Sequence, residues 1–111
     1  MIKLECKAVL FFSSEDEASF FSWAESISAV KNVVGKGGSI YLGVRSKSIS
    51  NRSLRELLGL FQRYKVSTRQ LAQFRTEGNQ SWFANPSAFW FRSTFGPSLS
   101  TRSRAKTRTP G

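Results

Sequence analysis

The chain opens with an alternation of apolar and polar residues that is typical of a half-buried β-strand. The even-numbered positions between 2 and 12 are all apolar: Ile2, Leu4, Cys6, Ala8, Leu10 and Phe12. The charged residues Lys3, Glu5 and Lys7 occupy odd positions. Because successive side chains of a strand point to opposite faces, the pattern predicts a strand over 2–12 with one buried face.

The residues after this predicted strand show the spacing of apolar positions that is typical of a helix. Ser14 and Glu17 match the S-x-x-E capping box, which satisfies backbone N–H groups where a helix begins. The apolar positions after it then recur at intervals of three and four residues: Ala18, Phe20, Phe21, Ala24 and Ile27, with Trp23 at the edge of the stripe. We therefore expect a helix that ends near Ser28.

Two β-rich runs, 29–34 and 39–44, flank the segment Gly35-Lys36-Gly37-Gly38. Short strands separated by a glycine-rich turn favour an antiparallel hairpin. The glycine segment lacks the G-x-x-x-x-G-K-[ST] spacing of a phosphate loop. We expect a turn at 35–38 rather than a nucleotide site.

The second half of the chain predicts helices. Ser53 and Glu56 form another capping pattern, and the apolar residues Leu54, Leu57, Leu58, Phe61 and Tyr64 follow at helical spacing. Leu57 and Phe61 are therefore expected in the core. Residues 68–75 favour a short third helix, and a fourth strand there stays open as an alternative.

The order of these elements predicts an α+β protein with a β-α-β-β core, an antiparallel hairpin and C-terminal helical segments. The alternative is a ferredoxin-like β-α-β-β-α-β arrangement, in which 68–75 would be a strand. We expect one domain over 1–95. Residues 96–111 contain only Leu99 as a large apolar residue, together with four basic residues, and predict a disordered basic tail that the fold does not need.

The segment 79–95 is rich in aromatic residues on both sides of Pro86, and Trp82 and Trp90 are the largest of them. Exposed together, these rings would form a large apolar patch. We expect the segment to pack back onto the domain, with partner binding as the alternative.

The sequence contains few of the residues that enzymes use for catalysis. The chain contains no histidine and a single cysteine, Cys6, and it lacks a G-x-S-x-G nucleophile elbow. The acids Glu15, Asp16 and Glu17 suit a helix N-terminus better than an acid–base pair. We expect no enzyme activity, no catalytic residue, no cofactor and no metal site.

The sequence also bears on the compartment. No apolar run approaches the roughly 18 residues of a membrane span, and Glu5 and Lys7 interrupt the N-terminal apolar stretch. A lone cysteine fits a reducing compartment. We expect a cytoplasmic protein without a membrane partner.

Charge gives the main functional signal, since 17 Lys and Arg residues against 7 Asp and Glu leave a net charge of +10. If the first and third strands are neighbours, Lys3, Lys7, Tyr41 and Arg45 share one sheet face. Together with Trp82 and Trp90 they form the candidate binding surface. Cations beside a stacking ring would also suit nucleic acid, although the run Gly37–Val44 lacks the aromatic spacing of an RNA-recognition strand.

The run LRELLGLFQRY at 54–64, followed by QLAQF at 70–74 and SWF at 81–83, resembles a group of small uncharacterised bacterial α+β proteins. Small bacterial proteins of this kind include immunity proteins of toxin systems. The resemblance implies a non-enzymatic protein-binding module of immunity or adaptor type. The alternative is a nucleic-acid-binding protein that uses the basic surface and tail.

Overall fold

The computed structural model of the 111-residue chain describes residues 1–96. The predicted tail at 96–111 therefore lies outside the described residues except for Gly96. The elements are β1 (Ile2–Lys7), α1 (Ser14–Ser26), β2 (Val30–Lys36), β3 (Ser39–Val44), α2 (Asn51–Arg63), a 3₁₀ helix (Thr68–Phe74), α3 (Gln80–Phe83) and α4 (Phe91–Phe95). This order confirms the predicted α+β fold.

The chain forms two compact units, one over Met1–Ser67 and a second that begins at Thr68. The first unit contains the three-stranded sheet and the two longest described helices, and the part of the second unit up to Gly96 contains only short helices. The expectation of a single domain over 1–95 stays a prediction.

The sheet of the first unit has three antiparallel strands in the order β1-β3-β2. The hairpin between β2 and β3 is tighter than predicted, because Lys36 pairs with Ser39 and only Gly37 and Gly38 form the loop. Both glycines have positive φ angles, +60° and +85°. A two-residue turn of this kind requires them, since its twist matches that of the flanking strands.

The predicted strand over 2–12 is wrong beyond Lys7. Ala8 adopts a positive φ of 48°, and this left-handed residue turns the chain out of the sheet. Leu10 and Phe12 are therefore 67% and 84% exposed. Phe11 packs inward instead, with its ring centre 5.6 Å from that of Phe20.

Both helix starts differ from the predicted capping boxes. Ser13 rather than Ser14 caps α1, with its Oγ accepting a hydrogen bond of 3.1 Å from the Asp16 N–H. Ser50 caps α2 in the same way through the Ser53 N–H at 3.0 Å. Ser53 is buried within the helix, and its Oγ accepts the Ala29 N–H at 3.2 Å. It therefore satisfies a backbone donor outside its own helix.

The core of the first unit lies on the inner face of the sheet. Its fully buried side chains come from that face and from both helices: Leu4, Cys6, Phe20, Ala24, Leu42, Val44, Leu54, Leu57, Leu60 and Phe61. Leu57 and Phe61 have no exposed surface, which confirms their predicted burial.

The second unit is built from short helices that share hydroxyl and aromatic contacts. The Thr68 Oγ1 lies 2.7 Å from Ser93 Oγ and accepts a hydrogen bond of 2.8 Å from Thr94. The Phe83 and Phe95 rings meet at 5.0 Å between centres. Residues 68–74 form a 3₁₀ helix and no fourth strand exists among residues 1–96, so the ferredoxin-like alternative is wrong for the described chain.

Candidate functional site

The second face of the sheet, here called the outer face, carries most of the polar side chains of the strands. The register places Lys3, Glu5 and Lys7 of β1 opposite Gly43, Tyr41 and Ser39 of β3. It places Asn32, Val34 and Lys36 of β2 opposite the same three residues of β3. The side chains of Lys3, Lys7 and Lys36 are exposed. One sheet surface therefore brings together three lysines around Tyr41.

A concavity of about 590 Å³ lies on the outer face. Its lining comprises Met1, Lys3, Asn32, Val34, Lys36, Gly37, Tyr41 and Gly43. A Cβ atom at position 43 would lie 2.5 Å from Asn32 Oδ1, so a larger residue there would displace the exposed Asn32 side chain. The shape of the floor thus depends on Gly43.

Tyr41 lies at the centre of the outer face between a cation and a carboxylate. Lys3 Nζ lies 5.3 Å from the centre of its ring, within range of a cation–π interaction. Glu5 Oε2 accepts a hydrogen bond of 2.8 Å from Ser39 Oγ and lies 3.5 Å from the Tyr41 hydroxyl oxygen. These contacts restrain the orientation of the Tyr41 ring.

Apolar surface borders the ring. Val34 is 49% exposed and Met1 is 76% exposed, and both line the concavity with Tyr41. Among the described side chains of the outer face, Glu5 is the only acid. The outer face therefore combines an apolar and aromatic centre with a basic rim.

The structure places the predicted site residues in two groups. Lys3, Lys7 and Tyr41 lie on the outer face, whereas Arg45 is exposed just beyond the end of β3. Trp82 and Trp90 belong to the second unit. The candidate surface therefore includes residues of both units.

In the second unit, Trp82 and Trp90 are half-buried, and their rings meet edge to face at 6.0 Å. The Trp90 Nε1–H donates a hydrogen bond of 2.7 Å to the Phe83 carbonyl. Both indoles thus have packing roles within their own unit.

Sequence reasoning missed six of the eight residues that line the concavity: Met1, Asn32, Val34, Lys36, Gly37 and Gly43. The prediction treated 35–38 as one loop, so it left Lys36 out of β2. It also did not specify which side chains of β2 lie on which face of the sheet. The signal that assigns Asn32, Val34 and Lys36 is the Gly37-Gly38 pair, because a two-residue turn fixes the register of β2 against β3.

A second concavity, of about 480 Å³, lies beside the loop between β1 and α1. The exposed side chains of Leu10 and Phe12 line it, together with Arg63 and Lys65 near the end of α2. Asp16 Oδ2 accepts the Phe12 N–H at 3.0 Å, which anchors the loop to α1. Its cations stand beside the acidic first turn of α1, so its charge is mixed.

The single thiol is unsuited to nucleophilic chemistry. Cys6 has no exposed surface, and burial, assisted by the neighbouring Glu5 carboxylate, raises its pKa to about 12. The reactive thiolate is therefore suppressed near neutral pH. Among residues 1–96, no three side chains of His, Cys, Asp or Glu come together as a metal site.

No protein-family model, curated protein or solved structure matches this chain. Within the described part of the chain, no helix has the length and apolar character needed to cross a membrane.

Proposed function

We propose that this protein is a non-enzymatic protein-binding module that holds an acidic partner protein against the outer face. The observation that carries the proposal is an apolar and aromatic centre, the exposed Val34 beside the half-buried Tyr41, within a rim of lysines. Binding energy at protein interfaces concentrates on aromatic and apolar anchors surrounded by polar residues. The outer face has this composition.

Charge supports an acidic partner. The chain carries a net charge of +10, and Lys3, Lys7 and Lys36 stand on the outer face against one acid, Glu5. Complementary charge accelerates diffusional encounter and discourages wrong partners. A partner rich in Asp and Glu would therefore associate quickly at low salt.

The contacts of Tyr41 favour protein over nucleic acid. Lys3 already lies over the ring, where a base would need to stack. The Glu5 carboxylate beside the same side chain repels phosphates and carboxylates alike, so the Lys3 contact alone separates the two classes of partner. Nucleic-acid binding through the lysines is the alternative.

An immunity or adaptor role, acting in the cytoplasm, fits this proposal. Such proteins act by occupying a partner's surface rather than by chemistry, and this chain contains no histidine and a thiol held in its protonated form. The resemblance to small bacterial proteins that include immunity proteins supports the same role. Its partner would then be an acidic toxin or scaffold.

A charge-reversal pull-down from cells of the native source tests the proposal. The test variant carries Lys3→Glu and Lys36→Glu, and the control carries Lys47→Glu and Arg52→Glu, which changes net charge equally at exposed positions outside the concavity. After nuclease treatment, the wild type and the control should retain the same proteins, and the test variant should lose them. Equal retention by both variants would contradict the proposal.

Salt dependence tests the alternative. Binding driven by phosphate contacts weakens steeply as salt rises, because condensed counterions are released. We expect generic RNA and DNA to bind only weakly at low salt and to dissociate at physiological salt. Tight, outer-face-dependent binding of nucleic acid at physiological salt would favour the alternative over a protein partner.

A further inference from the structure

β2 is an edge strand whose backbone faces outward at alternate residues. In the order β1-β3-β2, no described strand lies beyond β2. Lys36 and Ser39 flank the two-residue turn and form a hydrogen-bonded pair, so such pairs recur at every second position. The N–H and C=O groups of Val33 and Gly35 therefore point away from β3.

Space is available on both sides of this edge. On the outer face, Asn32, Val34 and Lys36 line the concavity of about 590 Å³. At the opposite side of the strand, a concavity of about 390 Å³ is lined by Glu25, Val30, Lys31, Asn32 and Val33. A Cβ atom at Gly35 would have no neighbour within 4 Å. An added strand would meet no obstruction at Gly35.

We infer that the acidic partner presents an extended segment that pairs with β2 as a fourth strand. This inference rests on the proposed function. The alternation of a strand would send the segment's carboxylates toward Lys36 on the outer face. Its apolar side chains would then lie beside Val33, which is half-buried at the rim of the inner face. Main-chain hydrogen bonds supply affinity in this mode, and the alternating side chains supply specificity.

Charge selects a foreign segment over a second copy of the chain. Two copies of β2 paired edge to edge would gather Lys31 and Lys36 of both chains along one strand pair that contains no acidic residue. Like charges on paired strands repel each other, and edge lysines protect sheets from self-association in this way. The bulge between Val30 and Asn32 adds to that protection. The same lysines attract a segment that carries carboxylates.

The other edge of the sheet suits an acidic segment less well. β1 carries Glu5 at its centre, and the Glu5 carboxylate lies on the outer face beside Tyr41. A carboxylate of an added strand would meet this like charge. β2 contains no acidic residue between Val30 and Lys36.

The test uses a fluorescein-labelled peptide of roughly eight residues in which Glu and Val alternate. Its affinity is measured by fluorescence anisotropy at low salt for the full chain and for Gly35→Pro, with Gly35→Ala as the matched control. Proline removes the outward N–H, whereas alanine keeps it. We expect Gly35→Pro to weaken binding at least about fivefold, as for one lost hydrogen bond, and Gly35→Ala to bind as the wild type does. A circular-dichroism melt verifies that both variants fold.

A second pair of ligands tests backbone pairing independently of any protein variant. N-methylation of alternate residues on one side of the peptide should abolish binding, and methylation of the other set should leave it unchanged. Equal effects of the two methylated sets, or unchanged binding by folded Gly35→Pro, would overturn the strand-pairing inference. If Lys3→Glu with Lys36→Glu still abolished capture of proteins in that case, the proposed function would stand without it. If the charge reversal also had no effect, both would fail.

Discussion

The Trp23 Nε1–H donates a hydrogen bond of 2.8 Å to Glu56 Oε1, and this contact joins α1 to α2. The indole also lies against the next turn of α2 at Gly59, where an added Cβ would lie 3.4 Å from the ring, at van der Waals contact. Glu56 therefore acts between helices rather than in the capping box that the sequence predicted.

Replacing Glu56 by Ala should lower the free energy of unfolding by about 1 kcal/mol, because the indole N–H loses its acceptor at a solvent-exposed site. Glu56→Gln retains a side-chain oxygen and serves as the control. Urea unfolding followed by circular dichroism measures the difference. Equal losses in both variants would argue against the hydrogen bond as the cause.

Truncation of Phe61 tests the core of the first unit. This side chain has no exposed surface, and Phe→Ala at such a site leaves a cavity. We expect Phe61→Ala to cost about 3–5 kcal/mol in the free energy of unfolding. Gln62→Ala, at the exposed neighbouring position, should change it little. An unchanged melting temperature for Phe61→Ala would contradict the described packing.

The buried thiol predicts a loss of stability at alkaline pH. The pKa of Cys6 rises from 9.0 to about 12 in the folded protein, so only the unfolded chain releases the proton between these values. The thiol's contribution is complete below pH 9 and declines as the pH rises toward 12. Between about pH 8 and about pH 10, the free energy of unfolding of the wild type should fall by roughly 1–2 kcal/mol more than that of Cys6→Ala.

The control for this prediction is chemical. Native protein at neutral pH should react slowly with iodoacetamide, and denatured protein should react fully, because the thiolate is the reactive form. Rapid alkylation of the native protein, or parallel pH profiles for the wild type and Cys6→Ala, would show that the thiol is not shielded.

In the second unit, Trp90 should contribute to stability through both its ring and its N–H. The indole donates to the Phe83 carbonyl at 2.7 Å and contacts the Trp82 ring at 6.0 Å. In a Trp23→Phe background, we expect blue-shifted emission and weak quenching by iodide. Trp90→Phe, which keeps a ring, should lower the free energy of unfolding by about 1 kcal/mol. Trp90→Ala should lower it by about 3 kcal/mol or more. Free quenching with no loss of stability would instead make this segment a binding arm.

The sequence predicted the elements of the first unit well because their patterns were local. The stripe that contains Leu57 and Phe61 recurs at helical spacing, and glycines mark the hairpin. It failed at Ala8, where one residue with a positive φ exchanges the roles of Phe11 and Phe12. Alanine does not indicate a positive φ angle, so the alternation predicted a strand that continued to Phe12.

The site was predictable only in part for a related reason. Alternation alone places Lys3, Lys7 and Tyr41 on the outer face once β1 and β3 are neighbours. Val34 and Lys36 join them only when the turn is limited to two residues. The position of Lys3 above the Tyr41 ring depends on side-chain packing, which periodicity does not specify.

Site-specific photo-crosslinking tests most directly whether the outer face binds a protein. A benzophenone amino acid replaces Tyr41 at the centre of that face, and the same substitution at the exposed Gln73 of the second unit is the control. Irradiation of native-source cells should give discrete adducts at position 41 that resist nuclease and are digested by protease, with none of them at position 73. Adducts that only nuclease removes, or the same adducts at both positions, would contradict the account.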